Sequence, residues 1–344
     1  MALSRKKTQR SISQETRERI LRLMERFKSV RVLVVGDLIV DEFIWGTVER
    51  ISPEAPVPVV RVSRRSLRWG GAANVANNLR TMGAKVLIAG VVGADREGRW
   101  LVRDLKRKGI PTDGVWEVRD RPSTLKTRII AHSQQVVRID RESRASLAEE
   151  VAEKIREYLQ ARSSEVDAVI VSDYGKGVVD AHLMDAVREI SRRGTVVCVD
   201  PKAIPFSIYR EVTAVTPNDR EAMRAWGKEV RDESTFEIMG KELLEMLSCE
   251  ILLITRGEQG VSLFLNGGHH RHIPTWAKEV YDVTGAGDTL ISAFTLSLAA
   301  KGNPEDAALL ANLAAGIAVS KVGTATVNWR SLRRTLEELE VQDR

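Results

Sequence analysis

The sequence predicts an α/β protein: a three-layer sandwich with a mostly parallel central sheet covered by helices on both faces, and a small β lid outside that sheet. Three observations predict it. From Ala145 onward, short apolar runs alternate with stretches of helical period. Asp37, Ser172-Asp173, Asp200, Pro217-Asn218 and Thr255-Arg256 each follow an apolar run directly. That puts polar groups at the carboxyl ends of strands, where open α/β sheets carry their sites. Finally, Gly46 to Arg68 and Val115 to Asp140 break the alternation with strand patterns of their own, and they are expected to form the lid.

In chain order, residues 1–12 carry no periodic pattern and are expected to be disordered. Ser13 to Phe27 has a helical period through Ile20, Leu21, Leu23, Met24 and Phe27, with Ser13 as its cap. Val32 to Val35 is a buried strand ending at Gly36-Asp37. Between the lid segments lie a helix (72–82), a strand (86–92) and a helix (97–108). Then follow helix 146–162, strand 168–171, helix 180–193, strand 195–199, strand 214–216, helices 219–226 and 234–247, and strand 251–254. Asn266-Gly267-Gly268 turns a hairpin between Val261–Leu265 and His270–Thr275. Helices 289–301 and 304–320 close the sequence of elements. The expected organisation is an extension over 1–29, one α/β domain over 30–330, and a C-terminal helix or tail over 331–344.

Composition excludes several classes. No apolar run approaches the roughly 20 residues that span a bilayer, so no membrane partner is expected. Cys198 and Cys249 both lie in apolar runs, which reads as buried free thiols in a reducing cytoplasm. The net charge is +6, but residues 1–30 hold nine basic and three acidic side chains and so carry the whole excess. The remainder is balanced, which argues against a nucleic-acid face on the main body.

The chemistry concentrates near Asp282-Val283-Thr284-Gly285-Ala286-Gly287-Asp288. These residues lead into Thr289–Lys301, a run that is apolar on every face and therefore a buried helix. The N–H groups of its first turn and its dipole favour an anion on the glycine loop. Asp288 in that turn is placed to take a proton from a hydroxyl that attacks a phosphoryl group held there. The plain alternative is an acidic helix cap. No phosphate loop ending in Gly-Lys-Ser/Thr, no Gly-x-Gly-x-x-Gly and no His-Arg-Asp loop is present, so any phosphoryl transfer uses another design.

That segment, together with Trp69-Gly70-Gly71-Ala72-Ala73-Asn74-Val75-Ala76, resembles the two signatures of the ribokinase-like (PfkB) carbohydrate kinases. The resemblance covers about residues 31–328. It implies that Asp288 is the catalytic base and that the backbone of Gly285, Ala286 and Gly287 forms the anion hole. It implies that Gly70, Gly71, Asn74 and Asp41 bind the sugar, with Asp37 as a second candidate. Thr216-Pro217-Asn218-Asp219-Arg220-Glu221 resembles the family's Asn-x-x-Glu element. Asn218, Asp219, Arg220 and Glu221 would then lie near the ATP phosphates, with Glu221 acting on Mg2+ indirectly. Thr255, Arg256, Gly257 and Gly260 match the nucleotide loop, and Asn312 the adenine pocket. Asp282 and Thr284 fall where many members hold a monovalent cation such as K+.

Four further segments resemble one branch, the D-glycero-D-manno-heptose 7-phosphate kinases of bacterial surface-polysaccharide synthesis. They are Arg50 to Val60, Ser172 to Gly177, Asp200-Pro201-Lys202 and Lys321 to Val327. In many bacteria this kinase is fused to an adenylyltransferase; with its end at Arg344, this chain is expected to be the kinase alone. A phosphorylated sugar also gives the lid cations a use. Lys126, Arg128 and Arg138 on lid strands, with Lys176 and Lys202 after core strands, are candidates to clamp its distal phosphate, Lys176 and Arg138 first. Lid strands often form the dimer contact in this family, so the expected partners are ATP, a sugar phosphate and a second copy of the chain. Two alternatives stay open: a kinase of the same fold acting on fructose phosphate, ribose or a nucleoside, and a non-catalytic sugar-binding regulator.

Overall fold

The computed structural model describes residues 11–132, 134–202, 205–276, 283–320 and 326–342. The first half contains β1 (Ser11–Ser13), α1 (Gln14–Glu25), β2 (Arg31–Gly36), β3 (Leu38–Ile51), β4 (Pro58–Gly71), α2 (Ala72–Thr81), β5 (Lys85–Gly93), α3 (Arg96–Arg107), β6 (Gly114–Val118), β7 (Thr124–Ala131), β8 (Gln134–Arg141) and α4 (Glu149–Arg162). There follow β9 (Ala168–Ser172), α5 (Ala181–Arg192), β10 (Val196–Asp200), β11 (Ala214–Val215), α6 (Asp219–Trp226), α7 (Glu233–Leu247), β12 (Ile251–Thr255), β13 (Val261–Leu265) and β14 (His269–Ile273). The last elements are α8 (Ala286–Ala299), α9 (Pro304–Val319), α10 (Trp329–Glu337) and β15 (Glu340–Gln342).

The central sheet runs β14-β13-β12-β11-β10-β9-β2-β5-β6. Its neighbours are parallel except for the β12-β13-β14 meander at one edge. Alternate side chains of β2 enter opposite cores: Val32 and Val34 pack with α1, α2, α8 and α9, while Leu33 and Val35 pack with α4, α5 and α7. A strand buried on both faces reads as a continuous apolar run, as Val32–Val35 does. These are the three layers expected. Cys198 and Cys249 are buried free thiols, and burial pushes both up to about 12. No helix among the described residues is long and apolar enough to cross a membrane.

The lid is a second sheet ordered β4-β3-β7-β8. Its bounds differ from the expected 46–68 and 115–140. β3 enters it at Leu38, straight after β2, and pairs β4 from Leu38↔Gly71 to Ile51↔Pro58. Gly114–Val118, read as lid, instead adds to the edge of the main sheet beside β5. The termini also differ from expectation. Ser11–Ser13 is a strand paired in parallel with Glu340–Gln342. α1 is capped by Ser13 and buries Ile20, Leu23 and Met24. It is fastened by Arg19 to Asp306 at 2.8 Å and by the Trp329 indole N–H to the Met24 carbonyl at 3.1 Å.

α8 begins at Ala286, three residues before the expected Thr289, because Gly285 takes φ +79° as its N-cap. From Asp288 to Ala299 every residue is buried. The hydroxyls of Ser292 and Ser297 donate to the carbonyls of Asp288 and Ala293, so these two polar groups are satisfied within the helix inside the core. This fixes the first turn of α8, and Asp288 with it, at the carboxyl ends of the strands.

Candidate active site

Asp288 lies at the centre of the site, 3% exposed. Its two carboxylate oxygens have separate partners. The Asn74 side-chain amide, from the start of α2, donates to Oδ2 at 2.7 Å. The Tyr174 hydroxyl, from the loop after β9, donates to Oδ1 at 2.6 Å. Burial pushes this carboxyl up to about 6, and the charge of Asp41 adds to the rise. The Tyr174 and Asn74 donors and Lys126 oppose it. A carboxyl poised there is a base near neutral pH.

Asp41 faces the same space from β3. Arg128 of β7 donates to its Oδ1 at 2.6 Å. Burial raises its pKa, offset in part by Arg128, Lys126 and Arg138. Gly70 is what lets Asp41 sit here: a Cβ at residue 70 would lie 2.4 Å from Asp41 Oδ2. Gly71 takes φ +54° and packs on the Asp37 carbonyl, which turns β4 into α2 and presents Asn74. Lys126 lies 5.1 Å over the Tyr174 ring, linking the lid to the core. Burial lowers its pKa, against the pull of Asp41.

Two cavities meet at the mouth of α8. One, about 180 Å³, is lined by acids and their partners: Asp173, Tyr174, Asp200, Lys202, Asn218 and Glu221. The other, about 230 Å³, is walled by Gly257, Gly260, Val261, Ala286, Asn312 and Val319, among others. Thr255, Gly287 and Leu290 line both. In the first, Asn218 caps α6 by accepting from the Glu221 N–H at 2.9 Å, and Glu221 accepts from the Asn218 N–H at 3.0 Å. Lys202 also donates to Glu221, at 2.7 Å. Asp200 is held well above the ordinary carboxyl range by burial, then by the charges of Asp288 and Glu221. Asp200 and Glu221 bring carboxyl oxygens, the donor type a divalent cation takes, to one cavity, although no cluster of three or more such groups forms among the described residues.

Several expected residues fall elsewhere. Asp37 does not face the space beside Asp288. Its carboxylate accepts backbone N–H groups of Tyr174 (2.8 Å), Lys176 (3.0 Å) and Val178 (3.3 Å), so it pins the loop that carries Tyr174. Arg256 points away from both cavities: it pairs with Glu233 at 2.6 and 2.8 Å and stacks on Phe236 at 3.9 Å. Asp219 turns back to the Arg220 N–H at 2.8 Å, Arg220 is exposed, and neither lines a cavity. The Ala286 N–H donates to the Val283 carbonyl at 3.2 Å and so is not free for an anion, whereas Gly287 lines both cavities. Asn312 lines the larger cavity while its amide donates to the Pro274 carbonyl at 2.8 Å. Asp282 lies outside the described residues, as do Lys321–Ala325 of the branch motif; Thr284 lies in the turn before α8.

The cations are paired as well. Lys176 is 8% exposed and forms an ion pair with Glu142 at 2.7 Å, just past β8. Arg138 of β8 forks onto Asp140 with both contacts at 3.0 Å. Sequence reasoning did not assign Tyr174 or Glu142 a part in the site, and it read Asp200 only as one of the polar strand ends that converge there. The signal available for Tyr174 was position: it follows the apolar strand β9 by two residues.

The pfkB family carbohydrate kinase pattern matches residues 30–330. The chain is 48% identical over 312 residues to "Bifunctional protein HldE" of Citrifermentans bemidjiense, covering 90% of this chain and 64% of that protein. It is 45% identical over 313 residues to the HldE protein of Geobacter sulfurreducens, covering 91% and 64%. The chain thus spans about 64% of the length of these curated relatives. Among solved structures, the fold is similar to Escherichia coli phosphofructokinase-2 in complex with substrates and products, with TM-score 0.75, 18% identity, and 90% and 99% of the two chains covered. It is also similar to Arabidopsis thaliana ribokinase complexed with ribose and ATP, with TM-score 0.72, 19% identity and the same coverage.

Proposed function

The chain belongs to the pfkB family of carbohydrate kinases, and from that premise we propose that it phosphorylates D-glycero-D-manno-heptose 7-phosphate at C1, using ATP and giving heptose 1,7-bisphosphate. The observation that carries the chemistry is the buried Asp288 carboxylate between Asn74 and Tyr174, next in sequence to Gly287, which lines both cavities. ATP lies with its base in the larger cavity and its phosphates toward Asn218, Glu221 and Gly287. The acceptor sugar lies on the lid side, against Asp41 and Asn74.

Asp288 takes the proton of the C1 hydroxyl. The freed oxygen bonds to the γ-phosphorus, and the bond from that phosphorus to the β–γ bridging oxygen breaks, releasing ADP. The Gly287 N–H and the positive end of α8 stabilise charge on the transferring group. Asp200 and Glu221 would hold Mg2+, which supplies charge neutralisation on the ATP phosphates. The lid shuts water out of the transfer.

The choice of a phosphorylated heptose rests on the four branch segments, on the similarity to the HldE proteins and on the lid cations. The charges of Lys126, Arg128 and Arg138 reach Asp41 and that of Lys176 reaches Lys126, and a sugar phosphate would compete with the carboxylates that Arg128, Arg138 and Lys176 pair with. Lys176 is our first choice for the 7-phosphate, which would displace Glu142 from it. A homodimer through the lid is part of the proposal, supported by the exposed Val62, Val137 and Ile139. The test is a coupled assay of ADP release against an acceptor panel. Heptose 7-phosphate should exceed fructose phosphate, ribose and nucleosides in kcat/KM by at least about 100-fold. Equal or better turnover of another acceptor would replace the heptose assignment with that one.

A further inference from the structure

The geometry points to Tyr174 as a placeholder for the acceptor hydroxyl, one that keeps water off Asp288 until the sugar arrives. This inference rests on the reading of Asp288 as the base. The two partners of Asp288 differ in kind. Asn74 is buried on α2, inside a rigid core. Tyr174 comes from a loop, is partly exposed, and reaches the base from the side of the acidic cavity that it helps to line. The other side of its ring faces the lid, under Lys126. Its hydroxyl therefore lies between the space for the sugar and the space for the phosphates, on the oxygen of Asp288 that a reacting hydroxyl needs.

The phenol suits the part chemically. Burial and the nearby charges of Asp288, Asp200 and Asp41 hold its pKa far above the ordinary phenol value, so it stays neutral and donates a hydrogen bond as an alcohol does. Asp37 fixes the loop through three backbone N–H groups at residues 174, 176 and 178. Without the hydroxyl, a gap the size of one water opens beside a competent base. Water placed there loses a proton to Asp288 as its oxygen bonds to the γ-phosphorus of ATP; the bond to the β–γ bridging oxygen breaks, and ADP and phosphate leave. The charged groups facing Asp288 are Asp41 of β3, Lys126 of β7 and Asp200 of β10, and none of them fills that position.

The experiment measures phosphate release from ATP without any sugar, for the wild type and Tyr174→Phe, with melting temperature as a check on folding. Tyr174→Phe should hydrolyse ATP at least about 10-fold faster than the wild type, a fraction of what a positioned base supplies. Adding Asp288→Asn should return hydrolysis to the wild-type rate. The acid limb of kcat/KM for sugar phosphorylation should also move to higher pH, because the lost hydrogen bond favoured the charged carboxylate. Hydrolysis unchanged in Tyr174→Phe, or raised hydrolysis that survives Asp288→Asn, overturns the inference. An arm with the unmodified protein does not depend on the variant folding: a 1-deoxy analogue of the sugar phosphate should displace the phenol and stimulate hydrolysis, and no stimulation counts against the placeholder. Asp288→Asn with wild-type sugar phosphorylation removes the base itself; a silent Tyr174→Phe beside an inactive Asp288→Asn removes the placeholder alone.

Discussion

Gly70→Ala tests the sugar side of the site without touching a charged group. The backbone of Gly70 is outside the left-handed region, so alanine is conformationally acceptable there. The obstacle is contact. The new Cβ would lie 2.4 Å from Asp41 Oδ2 and 3.1 Å from Ile39 Cγ2, whereas ordinary contact starts at 3.4 Å, so Asp41 must retreat by about 1.0 Å. Its other oxygen is held by Arg128 at 2.6 Å, and the retreat strains that buried pair. A misplacement of about 1 Å in a positioning group costs on the order of 100-fold, or ~2.7 kcal/mol of transition-state stabilisation. In a coupled ADP assay, kcat/KM for the sugar phosphate should fall by about that factor. KM for ATP, whose proposed cavities residue 70 does not line, should stay within about twofold. A Gly70→Ala enzyme whose sugar kcat/KM is within about threefold of the wild type would refute the placement of Asp41 against the substrate.

Other perturbations separate the parts of the site. With the Asp288 carboxyl at about 6, kcat/KM should rise with pH through that value and level off above it, since the base works deprotonated. Burial, then the charge of Asp173, pushes the Asp37 carboxyl up to about 6 as well; Asn74→Ala, which removes a donor from Asp288 only, should shift the limb upward, and an unmoved limb would assign it to Asp37. Lys176→Ala should raise KM for the phosphorylated sugar by ~10–100-fold and leave KM for ATP alone, as loss of one charge-assisted contact predicts. An unchanged sugar KM would send the phosphate to Arg138 or Lys126. Arg256→Ala should lower stability by about 1–2 kcal/mol through its stack on Phe236, with KM for ATP unaffected. A raised KM for ATP would restore Arg256 to the nucleotide site.

The layers of this fold are legible in the sequence because each central strand is a run buried on both faces, and Val32–Val35 and Ala168–Val171 read that way without any knowledge of partners. The lid bounds are not. The chain passes from β2 of the main sheet into β3 of the lid across Asp37 alone, so Gly36-Asp37 reads as a strand end and not as the start of the lid, and Gly114–Val118 has the same alternation as a lid strand. At the site, Asp288, Asn74 and Asp41 carry signatures in their own segments. Asp37 and Arg256 show what a local pattern omits. An aspartate after a strand looks the same whether it meets a ligand or the N–H groups of a loop 137 residues on, and the partner of Arg256 is Glu233, 23 residues back. Tyr174 was visible as a residue but not as a donor, since its part depends on α8 reaching the same strand ends from 114 residues away.

The most direct measurement is the turnover of Asp288→Asn with saturating ATP and heptose 7-phosphate, beside ATP affinity by calorimetry. The account predicts a loss in kcat of at least about 100-fold with ATP binding intact. Turnover within about tenfold of the wild type, from a folded variant that still binds ATP, would contradict it.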